Sequence, residues 1–130
     1  MSAKAEQVTA EQLAAFADAW NRHDVDGLMT FMTDDCIFDA SSGPFAFGSR
    51  FEGYAAVRAA YAGIFTVFPD ARWSDANHFV SGSSGLSHWL FTGTKADGSR
   101  VEVHGCDVFT FKSGKIFIKD SYRKQRVPPG

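Results

Sequence analysis

The sequence predicts an α+β fold, helices first and an antiparallel meander afterwards, and three observations carry that prediction. Apolar residues recur at helical spacing in three stretches before Pro69. After Pro69 the texture changes to alternating β-branched and aromatic runs. Those runs are separated by compact Gly/Ser or Asp-Gly connections, which make neighbouring runs hairpin partners.

Thr9 followed three residues later by Gln12 is a capping-box pattern, and Leu13, Phe16, Ala17 and Trp20 then form one apolar stripe, so a first helix is expected over about 9–21. Asp24 caps a shorter helix whose apolar face is Val25, Leu28, Met29 and Met32. The two make a hairpin. Residues 36–40 read as a short strand and 41–53, with Gly43-Pro44 and Gly48-Ser49, as a loop rich in breakers. Three phenylalanines there, Phe45, Phe47 and Phe51, are expected to be covered. Tyr54, Val57, Tyr61, Ile64, Phe65 and Phe68 keep the helical period until Pro69 ends a third helix. Four strands follow at 71–80, 86–95, 100–111 and 116–124, and Val127 to Gly130 is expected to be a frayed tail.

A chain of 130 residues fits one domain, 1–130, that buries roughly two-thirds of the surface its unfolded form exposes. Aromatic residues make up 15%, with 13 Phe among them, enough for a bulky core and a lined pocket. The net charge of −2, without long single-sign runs, gives no basic footprint for nucleic acid. No apolar run approaches a membrane span, and the first residues lack the apolar core of a secretory signal, so a cytoplasmic protein is expected. Cys36 and Cys106 lie in no Cys-x-x-Cys motif; free thiols are expected, with no metal site and no cofactor signalled.

The stretch from His104 to Tyr122 carries the chemistry. Strand side chains alternate with period two, so Val101, Val103, Gly105, Asp107, Phe109 and Phe111 share one face, and Glu102, His104, Cys106, Val108 and Thr110 the other. In the next run Ile116, Ile118, Asp120 and Tyr122 fall together against Phe117, Lys119, Ser121 and Arg123. Each apolar face thus holds one aspartate. An ionised carboxylate is costly to bury without a partner, so both point to a cavity holding water, a ligand or a paired cation. Asp107, among Phe109, Phe111 and Trp20, is the candidate proton carrier, since desolvation favours the protonated form. Asp120, beside Lys119, Arg123 and Lys124, is as compatible with an ion pair.

Taken in order, helix hairpin, short strand, loop, helix and four-strand meander resemble the nuclear transport factor 2-like superfamily, in particular its SnoaL-like branch. Trp20-Asn21-Arg22-His23-Asp24 with Gly27-Leu28 and Asp34-Asp35 resembles the helix-hairpin signature, and Phe51-Glu52-Gly53 with Val57 the start of the third helix. The resemblance implies a cone-shaped, curved antiparallel sheet wrapped around three helices, a cystatin-like roll with a conical cavity. That superfamily includes ketosteroid isomerases, polyketide cyclases, limonene epoxide hydrolases, dehydratases and non-catalytic modules, so the fold does not select the reaction.

Against the ketosteroid isomerase pattern, the tyrosine position is Phe16 and the base position is Ala40, with Asp39 one residue early; only Asp107 matches, at the oxyanion aspartate. Asp120 resembles the last-strand aspartate of the epoxide hydrolases, but no Arg-x-Asp stands on the neighbouring strand. SnoaL-type cyclases need little more than one cavity aspartate, which Asp107 or Asp120 supplies. His88 becomes an acid/base partner for Asp107 if it faces inward; the alternation of Leu86, His88 and Leu90 with Ser87, Trp89 and Phe91 does not settle which set does.

The catalytic candidates are therefore Asp107, Asp120 and His88. The cavity-lining candidates are Phe16, Trp20, Phe38, Asp39, Tyr54, Tyr61, Phe65, Trp73, Trp89, Phe109 and Tyr122, an aromatic lining suited to a small molecule. The expected function is cofactor-independent acid/base catalysis, of isomerase, cyclase or hydratase/dehydratase type, on a small apolar molecule. The alternative is a non-catalytic ligand binder or a dimeric accessory module. Cys106, Val108, Thr110 and Phe117, on the outer parity, predict a homodimer through that sheet face.

Overall fold

The computed structural model describes residues 7–127; of the tail expected at 127–130, residues 128–130 lie outside them. The order is α1 (Ala10–Asn21), α2 (Val25–Met29), β1 (Met32–Phe45), β2 (Gly48–Glu52), α3 (Tyr54–Val67), β3 (Arg72–Ser81), β4 (Ser84–Thr94), β5 (Arg100–Lys112) and β6 (Lys115–Arg123). The strands form one six-stranded sheet in the order β2-β1-β6-β5-β4-β3. Every neighbouring pair is antiparallel except β1 with β6, which run parallel. The α+β expectation holds. No helix among the described residues is long and apolar enough to cross a membrane.

The local signals explain the helices. The Thr9 hydroxyl accepts from the Gln12 amide at 3.1 Å, and the Gln12 side chain accepts from the Thr9 amide at 2.8 Å, so the capping box is made in both directions. Leu13, Phe16 and Trp20 are buried as their spacing requires. At the far end of α1 the Asn21 amide bonds the Trp73 backbone twice, at 2.9 and 2.8 Å, fixing the helix to β3. Asp24 caps α2 by accepting from the Gly27 amide at 2.9 Å. That helix ends at Met29, so Met32 opens β1 rather than closing the apolar face of α2.

The largest departure from expectation is in 41–53. The strand expected at 36–40 runs on to Phe45, and the expected loop contains β2, paired with it from Ile37↔Glu52 to Phe45↔Gly48. The breakers act inside a hairpin: the register shifts between Ala40 and Phe45, and Gly43 and Gly48 have φ of +151° and +82°, values that favour glycine. Phe51 stacks on Phe38, with centroids 5.9 Å apart. Phe45 and Phe47 are not covered; they stack on each other at the hairpin tip, 62% and 41% exposed.

The second departure decides the site. Phe111 pairs with Ile116 but Thr110 with Ile118, so β6 carries one extra residue, Phe117. This β-bulge reverses the parity of everything after it. Ile116 faces the helices as expected, and from there on Lys119, Ser121 and Arg123 face inward while Asp120 and Tyr122 face outward. The uninterrupted alternation of β5 needs no such correction: Val103, Asp107, Phe109 and Phe111 are buried on the expected face.

Candidate functional site

A cavity of about 370 Å³ opens between α3 and the inner face of the sheet, walled by Trp20, Phe38, Phe51, Ile64, Trp73 and Trp89, with Lys119, Ser121 and Arg123 as its charged or hydroxyl-bearing groups on β6. Across the inner face the strands place these groups in rows. Ser87, Asp107 and Ser121 are neighbours on β4, β5 and β6, as are Trp89, Gly105 and Arg123; Lys119 stands opposite Phe109 on one side and beside Phe38 on the other. Gly105 is needed in its row. A Cβ there would lie 2.6 Å from the Trp89 ring and overlap the Tyr122 carbonyl oxygen, so only glycine lets the indole lie across β5.

That placement brings the Trp89 Nε1–H to one Asp107 carboxylate oxygen at 3.1 Å. The other oxygen accepts from the Ser121 hydroxyl at 2.5 Å and lies 3.1 Å from the Lys119 ammonium, which also donates to Ser121 at 2.8 Å. Asp107 lies on a separate, apical void of about 20 Å³ shared with Phe16, Ser87 and Phe109, room for about one water. Lys119, Trp20, Trp73 and Trp89 border both spaces, and Asp107 lines only the smaller one. With both oxygens engaged, Asp107 is the counter-ion of a buried lysine rather than a free acid facing a ligand.

Lys119 is the polar centre of the site. Its ammonium lies 4.9 Å from the Trp20 ring centroid, 4.6 Å from Phe38 and 5.5 Å from Tyr61. Burial pushes its pKa below the ordinary lysine value, against the opposing pull of Asp107. The Arg123 guanidinium carbon lies over Phe91, 4.0 Å from the ring centroid; burial lowers its pKa too, partly countered by the Asp107 charge. Among the described residues its guanidinium has no hydrogen bond or ion pair. Trp20 carries a second unused donor: its Nε1–H is buried without a partner.

Of the expected wall residues, Trp20, Phe38, Trp73 and Trp89 line the main cavity and Phe16 and Phe109 the apical void. Tyr61 packs behind the wall, its ring on Trp20 and Phe38 and its hydroxyl 3.7 Å from the Met32 sulfur; desolvation, then the Asp107 charge, raises its pKa well above the usual tyrosine value. Phe65 also packs behind, stacked on His23.

Five placements are corrected. His88 is exposed on the outer face, stacked on His104 with centroids 5.5 Å apart, because Ser87, Trp89 and Phe91 take the inner parity of β4. Asp120 and Tyr122 bond each other on the outer face, at 2.9 Å, through the bulge in β6. Asp39 has the parity opposite Phe38; it is buried but held by a bidentate ion pair with Arg50, at 2.8 and 3.0 Å. Tyr54, in the first turn of α3, is 42% exposed. The inward histidine is instead His78, whose Nδ1 lies 2.7 Å from the Ser87 hydroxyl. Lys119, Ser121 and Arg123 were missed by the alternation; the signal was the apolar run Ile116-Phe117-Ile118, where alternation breaks down as it does at a bulge.

No functionally curated protein matches the sequence significantly. Solved structures share the fold. A protein provisionally assigned as a polyketide cyclase, from Pseudomonas putida KT2440, superposes with a TM-score of 0.80 at 19% identity, covering 91% of this chain and 92% of that one. An NTF2-like protein of unknown function from Mesorhizobium loti gives 0.74 at 27% identity, covering 96% and 97%. A protein of unknown function with a cystatin-like fold, from Xanthomonas campestris, gives 0.78 at 20% identity, covering 92% of each. Residues 13–118, from the buried stripe of α1 to the bulge in β6, match the model of the SnoaL-like domain, and with that cone of helices and sheet around them the chain belongs to the SnoaL-like family.

Proposed function

We propose that this SnoaL-like protein binds a flat, largely apolar small molecule bearing a carbonyl or equivalent oxygen, and carries out cofactor-independent acid/base chemistry on it. The observation that carries the reading is the buried Lys119 ammonium at the floor of an aromatic cavity, held by Asp107 and Ser121. An ammonium fixed among aromatic rings is a preorganised donor for negative charge developing on a carbonyl oxygen during enolisation, the proton passing to a water at the open mouth of the cavity and returning from it. Asp107 and Ser121 act through it, setting its position and keeping it charged. A fold neighbour was co-crystallised with polyporic acid, which supports a small-molecule occupant. A second reading, binding without turnover, is favoured by the engagement of both Asp107 oxygens, which leaves no free carboxylate in the main cavity to take a proton.

Incubation with flat aryl ketones in D2O, followed by NMR, separates the two. The catalytic reading expects accelerated exchange of the proton next to the carbonyl, lost in Lys119→Met. Quenching of tryptophan fluorescence without accelerated exchange establishes the binder, and neither effect with any ketone in the set sinks both.

A further inference from the structure

The charged groups that line the cavity are of one sign, beside the hydroxyls of Ser41, Ser42 and Ser121. Lys119 and Arg123 are cations, and the nearby carboxylate, Asp107, is already spent on Lys119, Ser121 and Trp89. Beyond the mouth the asymmetry grows. A vestibule of about 750 Å³ shares Ser41, Ser42, Phe68 and Arg123 with the cavity, and it is lined by Lys95, Lys124, Arg126 and Arg100, the last 3.8 Å from Asp70, against the single lining acid Glu102. The whole chain has a net charge of −2, so this local excess of positive charge runs against the molecule's overall balance.

We infer that the ligand is an organic anion, a ring system bearing a carboxylate, which the basic vestibule attracts and Arg123 receives at the cavity mouth while the ring lies among Trp20, Trp73 and Trp89. The inference rests on the reading of the cavity as a small-molecule site and adds the charge class of its occupant. Arg123 suits the role because its guanidinium already rests over the Phe91 ring and beside Phe68, 4.0 and 6.0 Å from their centroids, with its N–H groups left for a planar, bidentate acceptor. Half-burial without a hydrogen-bonded counter-ion is costly for a guanidinium, and a ligand carboxylate removes that cost. Clefts lined by one sign of charge concentrate oppositely charged ligands, and the effect weakens with salt.

The test uses 2-naphthoate and its neutral counterpart 2-naphthylmethanol, with binding followed by tryptophan fluorescence. The expected result is a preference for naphthoate of about tenfold or more in low salt. That preference should shrink in high sodium chloride, and in Arg123→Met it should collapse to about twofold or less. Near-ultraviolet circular dichroism checks that the tryptophans of the variant remain packed, and the salt series on the unaltered protein needs no variant. Equal binding of both probes overturns the inference while the small-molecule reading stands. Binding of neither overturns both, and a preference that survives in Arg123→Met overturns the assignment of Arg123.

Discussion

The Lys119 ammonium lies 3.1 Å from the Asp107 carboxylate across adjacent strands, and both side chains are more than nine-tenths buried, at 6% and 8% exposure. Two opposite charges removed from water together depend on each other. Asp107→Asn leaves the ammonium buried and uncompensated, and is expected to cost about 3–5 kcal/mol in urea unfolding. Replacing both, in Asp107→Leu/Lys119→Met, is expected to recover most of that loss. A single variant as stable as the parent would contradict the dependence.

His78 gives a signed pH effect. Burial lowers its pKa in the fold below the ordinary histidine value of 6.5. Between those two values the unfolded chain holds a proton that the folded one does not, so stability rises with pH across that window and is lost as pH falls through it. Denaturant titrations between mildly acidic and neutral pH should show this slope, and His78→Gln should flatten it. An identical slope in the variant would assign it to other groups.

Gly105 is predicted to be intolerant of any side chain. In Gly105→Ala the added methyl meets the Trp89 ring and the Tyr122 carbonyl, so the indole must move and its bond to Asp107 is lost. The expected destabilisation is about 1–3 kcal/mol, with a changed tryptophan emission. Unaltered stability and emission would show that the wall has more room than its contacts allow.

The outer face predicts self-association. Phe79, Leu86 and Val108 are neighbours across β3, β4 and β5, and Phe79 and Val108 are 61% and 40% exposed, with Tyr122 nearby at 53%. A second copy laid on this row would cover them in a two-fold arrangement. Sedimentation velocity is expected to show a dimer that Val108→Glu converts to monomer. A monomer at all accessible concentrations would leave the face to another partner.

The sequence made much of this legible, wherever a local rule ran without interruption. Thr9 and Gln12 form the capping box they spell, and β5 faces as its alternation requires because none of its inner residues is displaced. It failed where one residue was inserted. Phe117 in β6 turned Lys119, Ser121 and Arg123 inward, and with them the chemistry of the cavity, from an acid in apolar surroundings to a cation held by that acid. In β4 both faces carry bulky residues, so alternation alone had nothing to choose between His88 and Trp89; the choice is made by the space above Gly105. Gly43, Pro44 and Gly48 read as loop because the same residues serve a bulged hairpin.

The parallel pairing of β1 with β6 has a consequence for how the protein comes into being. Hairpins β3–β4 and β4–β5 can close as soon as they leave the ribosome, since each joins neighbours in the chain. The strand Met32–Phe45 must wait for Lys115–Arg123, and contacts so distant in sequence form late and slowly. During synthesis the edge of β1 and the aromatic wall therefore stand open, a period of exposure to aggregation and chaperones. It ends when the strand that carries Lys119 and Arg123 docks, so that completing the sheet and assembling the binding groups are a single event.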